Sequence, residues 1–190
     1  EIHADLTLPP YKHRPFAMVS EKARMNCVTF MSPSKAFNMP GLTASHALIF
    51  NPKLRRKFHA YLESCELDLG HVFAFLAIEA AYTHGTEWLD QCLAYIQGNI
   101  DYVDEFLKLH TPKIKAIRPQ ASFLVWLDCR EMGLAQDALN DFFVDKAHLA
   151  LNNGVAFGEE GEGFMRLNVA SPRSVLEQAM KQLADAYVKL

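Results

Sequence analysis

Residues 32–42 read SPSKAFNMPGL and place a single lysine, Lys35, among small polar and turn-forming residues. The stretch follows residues 26–31 (NCVTFM), whose β-branched and aromatic side chains predict a strand. Two prolines, a glycine and an asparagine then predict a loop. Loops that follow a buried strand commonly hold functional side chains, so Lys35 is the first candidate catalytic residue.

The neighbours of Lys35 suit the chemistry of a lysine that forms a Schiff base. Such a lysine needs an amine that can be neutral near neutral pH, and therefore one that is desolvated and near other positive charge. If the carbonyl compound bears a phosphate, that group needs several donors, and Ser32 and Ser34 supply two hydroxyls on the same turn. These residues alone leave open a second interpretation, a solvated loop lysine flanked by turn formers.

The second candidate is Arg166, at the centre of a predicted strand over residues 163–170 (GFMRLNVA). An arginine within an apolar strand requires a partner, because an unpaired buried charge is very costly. A carboxylate is the natural partner, since it can accept two parallel hydrogen bonds from a guanidinium. The pattern leaves open whether this carboxylate belongs to a substrate or to one of the 22 acidic residues of the chain.

Apolar spacing and capping residues predict the other elements and the domain organisation. We expect strands over 44–50, 114–118 and 122–128, a strand end within 1–8, and helices over 51–63, 69–84, 86–110, 135–151 and 172–189. The helix over 69–84 is apolar nearly all round and is expected to be buried. The helix over 86–110 is long enough to connect two domains. The order of elements is typical of an α/β or α+β fold.

Composition excludes several classes of protein and of site. Of the 190 residues 50% are hydrophobic and the net charge is −3, which is typical of a globular domain and argues against a nucleic-acid-binding protein. No uncharged apolar run is long enough for a membrane span. Four cysteines without a CxxC pair and eight histidines without ligand spacing predict no metal site. We expect reduced thiols in a cytoplasmic protein.

Four segments together resemble a known family, namely EIHADL, SPSKAFNMPGL, FLVWLDCRE and GFMRLNVASPR. They resemble the fold-type I pyridoxal-phosphate (PLP) enzymes of the class I/II aminotransferase superfamily, and within it the MalY/PatB-type cystathionine β-lyase (C–S lyase) branch. The resemblance covers the whole chain but only the C-terminal half of such an enzyme. It implies an α/β fold that is the C-terminal part of a PLP-transferase fold. Residues 1–95 would end the large cofactor domain, and residues 96–190 would form the small C-terminal α/β domain.

The resemblance also implies roles for individual residues. Lys35 would bind PLP as a Schiff base, and Ser32 and Ser34 would lie at the cofactor phosphate. His3 is similar in position to a residue, often Tyr, that hydrogen-bonds the 3′-oxygen of the cofactor. Arg166 would bind the α-carboxylate of a small amino-acid substrate.

The implied activity is a C–S β-elimination that gives pyruvate, ammonia and a thiol, catalysed by a homodimer. Some family members have a phosphate-binding arginine eight residues after the lysine; here that residue is Thr43, which fits the lyase branch better than the aminotransferases. A related aminotransferase and a non-catalytic regulatory or interaction module remain as alternatives. In the family, the aspartate that pairs with the pyridine nitrogen immediately precedes the position of Glu1, so we expect the 190-residue chain alone to be inactive.

Overall fold

The computed structural model describes residues 1–67 and 69–190. The chain divides into two compact units, Glu1–Leu93 and Ala94–Leu190, and the division falls within the longest helix. Among the described residues, no helix has the length and apolar character needed to cross a bilayer.

The first unit begins with a 3₁₀ helix, Ala4–Leu6, where the alternation of apolar residues suggested the end of a strand. Local hydrogen bonds close this turn, because the backbone nitrogen of Leu6 donates to the carbonyl of His3 at 3.0 Å. Leu6 and Leu8 still reach the core, each being 1% exposed. The alternation therefore indicates the burial of these two leucines, although the backbone is helical, but not the position of Ile2, which is 43% exposed.

Helix α1 (Glu21–Met25) begins directly after Ser20, a residue type that commonly caps the start of a helix. The Oγ atom of Ser20 accepts a hydrogen bond from the backbone nitrogen of Ala23 at 3.1 Å. Strand β1 (Thr29–Met31) follows and pairs antiparallel with strand β2 (His46–Leu48). The segment between these two strands contains Lys35.

Two helices follow the β1–β2 pair. Helix α2 (Pro52–Ser64) is capped by Asn51, whose Oδ1 accepts from the backbone nitrogen of Lys53 at 2.9 Å. Helix α3 (Val72–His84) contradicts the expectation of burial, because Ala74 alone among its described residues is buried and Phe73 is 63% exposed. An apolar sequence shows that a helix gains free energy from burial, but it does not specify the element that covers it.

Helix α4 (Thr86–His110) extends over the predicted range and continues into the second unit. Its buried residues in that unit recur at intervals of three and four, as a helix with one face on a core requires. They are Ile96, Asn99, Ile100, Val103, Asp104 and Leu107.

The second unit is built on a four-stranded sheet. Its strands are β3 (Lys115–Ile117), β4 (Leu124–Asp128), β5 (Asn152–Asn153) and β6 (Phe164–Asn168). They lie in the order β3-β4-β6-β5, and each neighbouring pair is antiparallel. The strand around Arg166 is therefore central, with β4 on one side and β5 on the other.

The two helices that complete this unit differ slightly from the predicted ranges. Helix α5 (Gln136–Asp141) continues as a π-helical turn, Phe142–Lys146, and ends before the predicted limit at residue 151. Asn152 and Asn153, directly after the predicted limit, form strand β5. Helix α6 (Arg173–Tyr187) begins after Pro172.

Alternation along the central strands separates an apolar face of the sheet from the face that holds Arg166. Val125 and Leu127 on β4 and Met165 and Leu167 on β6 are at most 4% exposed. Successive side chains of a strand point to opposite faces, so Arg166 lies on the face opposite these core residues. The sheet thus presents the arginine away from the hydrophobic core.

Candidate active site

Lys35 lies in a tight turn directly after β1. The backbone nitrogen of Phe37 donates to the carbonyl of Pro33 at 2.8 Å, and that of Met39 donates to the carbonyl of Ser34 at 2.9 Å. Both neighbours of Lys35 are buried, whereas Lys35 itself is exposed. Within residues 1–67 and 69–190, its Nζ atom forms no hydrogen bond or ion pair. The turn therefore orients the lysine outward, and the desolvation expected from the sequence is absent from its surroundings.

Ser32 and Ser34 hold this turn closed. The two hydroxyl oxygens are hydrogen-bonded at 2.7 Å, and the Ser32 Oγ also donates to the carbonyl of Ala44 and accepts from the Ser34 backbone nitrogen at 3.1 Å. A serine hydroxyl has one proton, so Ser32 can serve only one acceptor at a time. When Ser32 donates its proton to the Ala44 carbonyl, the Ser34 hydroxyl can donate its own proton to Ser32 or to a bound anion.

An aromatic cluster fixes the segment that follows Lys35. The ring of Phe37 stacks on Trp88 with 5.9 Å between centroids and meets Tyr82 edge-on at 6.0 Å. The hydroxyl of Tyr82 donates to a carboxylate oxygen of Asp5 at 3.4 Å. Burial, reinforced by the negative charge of Asp5, raises the pKa of Tyr82 to about 12. Tyr82 therefore stays protonated and acts as a donor that connects α3 with the N-terminal turn.

His3 belongs to that N-terminal turn, half-buried and directly before the 3₁₀ helix. Nearby, the carboxylate of Glu1 lies 2.7 Å from the Nε2 of His13 and accepts from the backbone nitrogen of Phe16 at 2.8 Å. Burial alone would raise the pKa of Glu1, but these hydrogen bonds outweigh burial and hold the pKa below its usual value. Glu1 thus stays ionised and fixes the segment that contains His3.

Arg166 lies in the second unit, between two cross-strand neighbours. Trp126 on β4 and Asn152 on β5 are its register partners. Its Nη2 donates to the Oδ1 of Asn152 at 2.9 Å, and its Cζ lies 4.4 Å from the ring centroid of Phe157. In the described part of the chain no acidic residue pairs with it, and its Nε is buried without a hydrogen-bond partner. Its partners in the described part of the chain are therefore an amide and an aromatic ring, and the binding of a substrate carboxylate stays a prediction.

Aromatic side chains surround this arginine. Trp126 contacts Phe157 edge-on and stacks on Phe164, both with centroids 5.6 Å apart. The guanidinium of Arg130 lies 4.8 Å from the ring of Phe164. Sequence reasoning missed Asn152, Phe157 and Trp126, because their proximity to Arg166 depends on strand register and on a loop. The sequence pattern that could have indicated Trp126 is an aromatic residue that alternates with core residues on β4.

The candidate residues are therefore distributed over both units, with Lys35, Ser32, Ser34 and His3 in the first and Arg166 in the second. A search of residues 1–67 and 69–190 finds no group of three His, Cys, Asp or Glu side chains placed to hold a metal ion.

Comparison with known proteins gives one consistent result. The family model for aminotransferase class I and II matches residues 1–183. Cystathionine beta-lyase PatB of Bacillus subtilis is 40% identical over 186 residues, which are 98% of this chain and 48% of that protein. Protein MalY of Escherichia coli is 34% identical over 187 residues, 98% of this chain and 47% of that protein.

Among solved structures, cystalysin from Treponema denticola, whose crystal structure contains pyridoxal 5′-phosphate, matches with a TM-score of 0.92 and 33% identity. The match covers 100% of this chain and 48% of that one. The chain thus spans about half the length of the relatives it matches.

Proposed function

Because the chain belongs to the class I and II aminotransferase family, we propose that it is part of a PLP-dependent C–S β-lyase. The family match and the mixed helix–strand fold are those expected from the four sequence segments, whereas the domain bounds and the residue roles stay proposals. The 40% identity with a cystathionine β-lyase supports the lyase over the aminotransferase, as does Thr43. In this proposal the unit Glu1–Leu93 belongs to the cofactor domain, and Ala94–Leu190 is the small domain.

One observation carries the proposal most directly: among the residues that the structure describes, the amine of Lys35 has no partner and lies next to two buried serines. In its neutral form, an amine without a competing partner can attack a carbonyl carbon, and the Ser34 hydroxyl can donate to a phosphate oxygen. The residues present therefore fit PLP. When bound, PLP supplies an electron sink that stabilises negative charge at the Cα of an amino acid.

Lys35 is proposed to have two successive tasks. With PLP bound, its Nζ would hold the carbonyl end of the cofactor until a substrate amine replaces it. The free Nζ then accepts the proton from the substrate Cα as a general base. With PLP bound, loss of the Cα proton and of a thiolate from Cβ would leave 2-aminoacrylate, which water hydrolyses to pyruvate and ammonia. Ser34 is proposed to donate to the phosphate, Ser32 to hold the turn that places Ser34, and His3 to hydrogen-bond the 3′-oxygen.

Arg166 is proposed to orient the substrate through its α-carboxylate. The guanidinium has five N–H donors, and the structure assigns one of them to Asn152. No acid of the described chain neutralises its charge, so a substrate carboxylate would be its first anionic partner. The complete enzyme is proposed to be a cytoplasmic homodimer.

The test uses the complete gene product, because the 190-residue chain alone is expected to be inactive. With L-cystathionine we expect pyruvate and a thiol, and borohydride reduction should attach the cofactor to the peptide that contains Lys35. Lys35→Ala should abolish both results, whereas Lys53→Ala on the exposed start of α2 should retain both. Pyruvate formation by Lys35→Ala would remove Lys35 from the mechanism.

The product distinguishes the alternatives. A keto acid that forms only when an amino acceptor is present would identify an aminotransferase. Failure of the complete protein to bind PLP would favour the non-catalytic interaction module.

A further inference from the structure

We propose that Asn152 and Phe157 are positioning residues that hold the guanidinium of Arg166 in the orientation that receives a substrate carboxylate. This inference rests on the proposed function of Arg166. It adds two residues that neither the sequence nor the comparisons identify, and it explains how a half-buried arginine without an acidic partner keeps one conformation.

The two residues restrain different degrees of freedom of the arginine. Asn152 is directly opposite Arg166 in the β5–β6 ladder and accepts a hydrogen bond from its Nη2 at 2.9 Å, which fixes rotation within the guanidinium plane. The Cζ of Arg166 lies over the ring of Phe157, 4.4 Å from its centroid, and this contact restrains where the guanidinium group lies. A planar carboxylate binds a guanidinium edge-on, so both restraints favour its capture.

The segment between β5 and β6, residues 154–163, places Phe157 beside Arg166. A Cβ on Gly154 would lie 2.2 Å from the carbonyl oxygen of Gly161, and a Cβ on Gly161 would lie 2.1 Å from that of Gly154. The two backbone segments approach so closely that only glycine fits at either position. This contact closes the base of the loop, and Trp126 supports the Phe157 ring from the neighbouring strand with centroids 5.6 Å apart. Phe157 is 53% exposed, so its own burial does not explain its position.

The free-energy cost of leaving the Nε of Arg166 unpaired also supports a role for this arginine in ligand binding. Within the part of the chain that the structure describes, the Nε of Arg166 is buried without a hydrogen-bond partner, and a charged donor in that state is unfavourable. A guanidinium that only stabilised the fold would gain by rotating its Nε toward a partner. Rotation of the guanidinium would give up the hydrogen bond to Asn152 and the contact with Phe157, so these two contacts oppose it.

The first experiment measures the orientation itself and does not depend on enzymatic activity. In the chain labelled with ¹⁵N-arginine, the Arg166 Nε–H signal is identified by its loss in Arg166→Lys, and its exchange with water is measured. Asn152→Ala and Phe157→Leu should each accelerate exchange at least threefold, whereas Glu159→Gln, on the same loop and exposed, should not. Unchanged exchange in both variants would overturn the proposal.

The second experiment compares an L-amino acid substrate with its carboxamide in the complete gene product. Arg166→Ala should remove the preference in kcat/KM for the carboxylate. Asn152→Ala and Phe157→Leu should each lower this preference about 3- to 10-fold through KM, and should have no further effect in the Arg166→Ala background. Equal losses for both substrates would mean a merely structural role and would also overturn the proposal. If Arg166→Ala keeps the preference, the proposed function of Arg166 fails, while the exchange measurement still tests the positioning.

Discussion

The ring of Phe37 lies against the bare backbone of Gly85. A Cβ on Gly85 would lie 2.4 Å from the Cε1 of Phe37 and 2.4 Å from the carbonyl oxygen of Ala81, far closer than real Cβ atoms approach. Since Phe37 is two residues after Lys35, the absence of a side chain at residue 85 determines where the lysine turn packs.

We predict that Gly85→Ala destabilises the chain by about 1–3 kcal/mol, because the added methyl group must displace an aromatic ring or a backbone carbonyl. Urea denaturation measures the change in the free energy of unfolding. Gly41→Ala is the matched control, since a Cβ at Gly41 would meet nothing within 4 Å. Equal stability of the two variants would contradict the packing described for Phe37.

Substitutions of the two serines should distinguish a role in the stability of the turn from a role in cofactor binding. Ser32→Ala removes a donor to the buried Ala44 carbonyl and an acceptor for the Ser34 backbone nitrogen, so it should cost about 1–3 kcal/mol of stability. Ser34→Ala leaves both of those bonds in place and should cost less. In the complete gene product, Ser34→Ala should nevertheless weaken PLP binding, measured by absorbance titration. The assignment fails if Ser34→Ala is the more destabilising change and leaves PLP affinity unaltered.

A pH dependence is expected from Asp104 in the second unit. Its carboxylate accepts from Lys108 at 2.9 Å and from Arg118 at 3.1 Å. Burial alone would raise its pKa, but these two cations outweigh burial and hold the pKa below the usual 3.8. A lowered folded-state pKa stabilises the fold above the unfolded-state pKa, and this contribution is lost as the pH falls through the folded-state value.

The stability difference between wild type and Asp104→Asn should therefore be greatest and constant between about pH 5 and pH 7, and should shrink below about pH 4. Urea denaturation over this range provides the measurement. Asp145→Asn, exposed and outside this network, should change stability little at any pH. A stability difference between the two proteins that grows as the pH falls would show that folding does not lower the pKa of Asp104.

The cysteines should differ sharply in reactivity. Burial, with a smaller contribution from Asp128, raises the pKa of Cys129 to about 12, and its side chain is 2% exposed. The thiolate is the reactive form, so Cys129 should react with a disulfide reagent at about pH 8 at least 100-fold more slowly than the exposed Cys65. Cys65→Ser should remove the fast phase, and urea should expose the slow thiol. A fast phase that is lost in Cys129→Ser instead would refute the burial.

Local interactions explain which elements could be predicted. Ser20 and Asn51 cap their helices through bonds to residues two or three positions ahead, so the relevant partners are adjacent in the sequence. The lysine turn is similarly local, because its prolines, glycine and serines act within a few residues. The same reasoning placed the loop after β1 and the long helix α4.

Non-local packing explains the differences. The apolar sequence of α3 predicted burial, but Phe73 and Phe75 are exposed, because a hydrophobic pattern does not name the surface that covers it. The outward orientation of Lys35 and the early end of α5 likewise depend on contacts that single-residue preferences do not encode.

The sequence by itself determined the family, the two candidate residues Lys35 and Arg166, and the serines beside the lysine, because each depends on residue types at short, fixed spacing. Only the tertiary structure decided what surrounds them. Asn152 meets Arg166 through strand register, and Phe157 meets it through a loop closed by two glycines. These contacts depend on the angle and register at which distant segments meet, and the chain acquires both only when it folds.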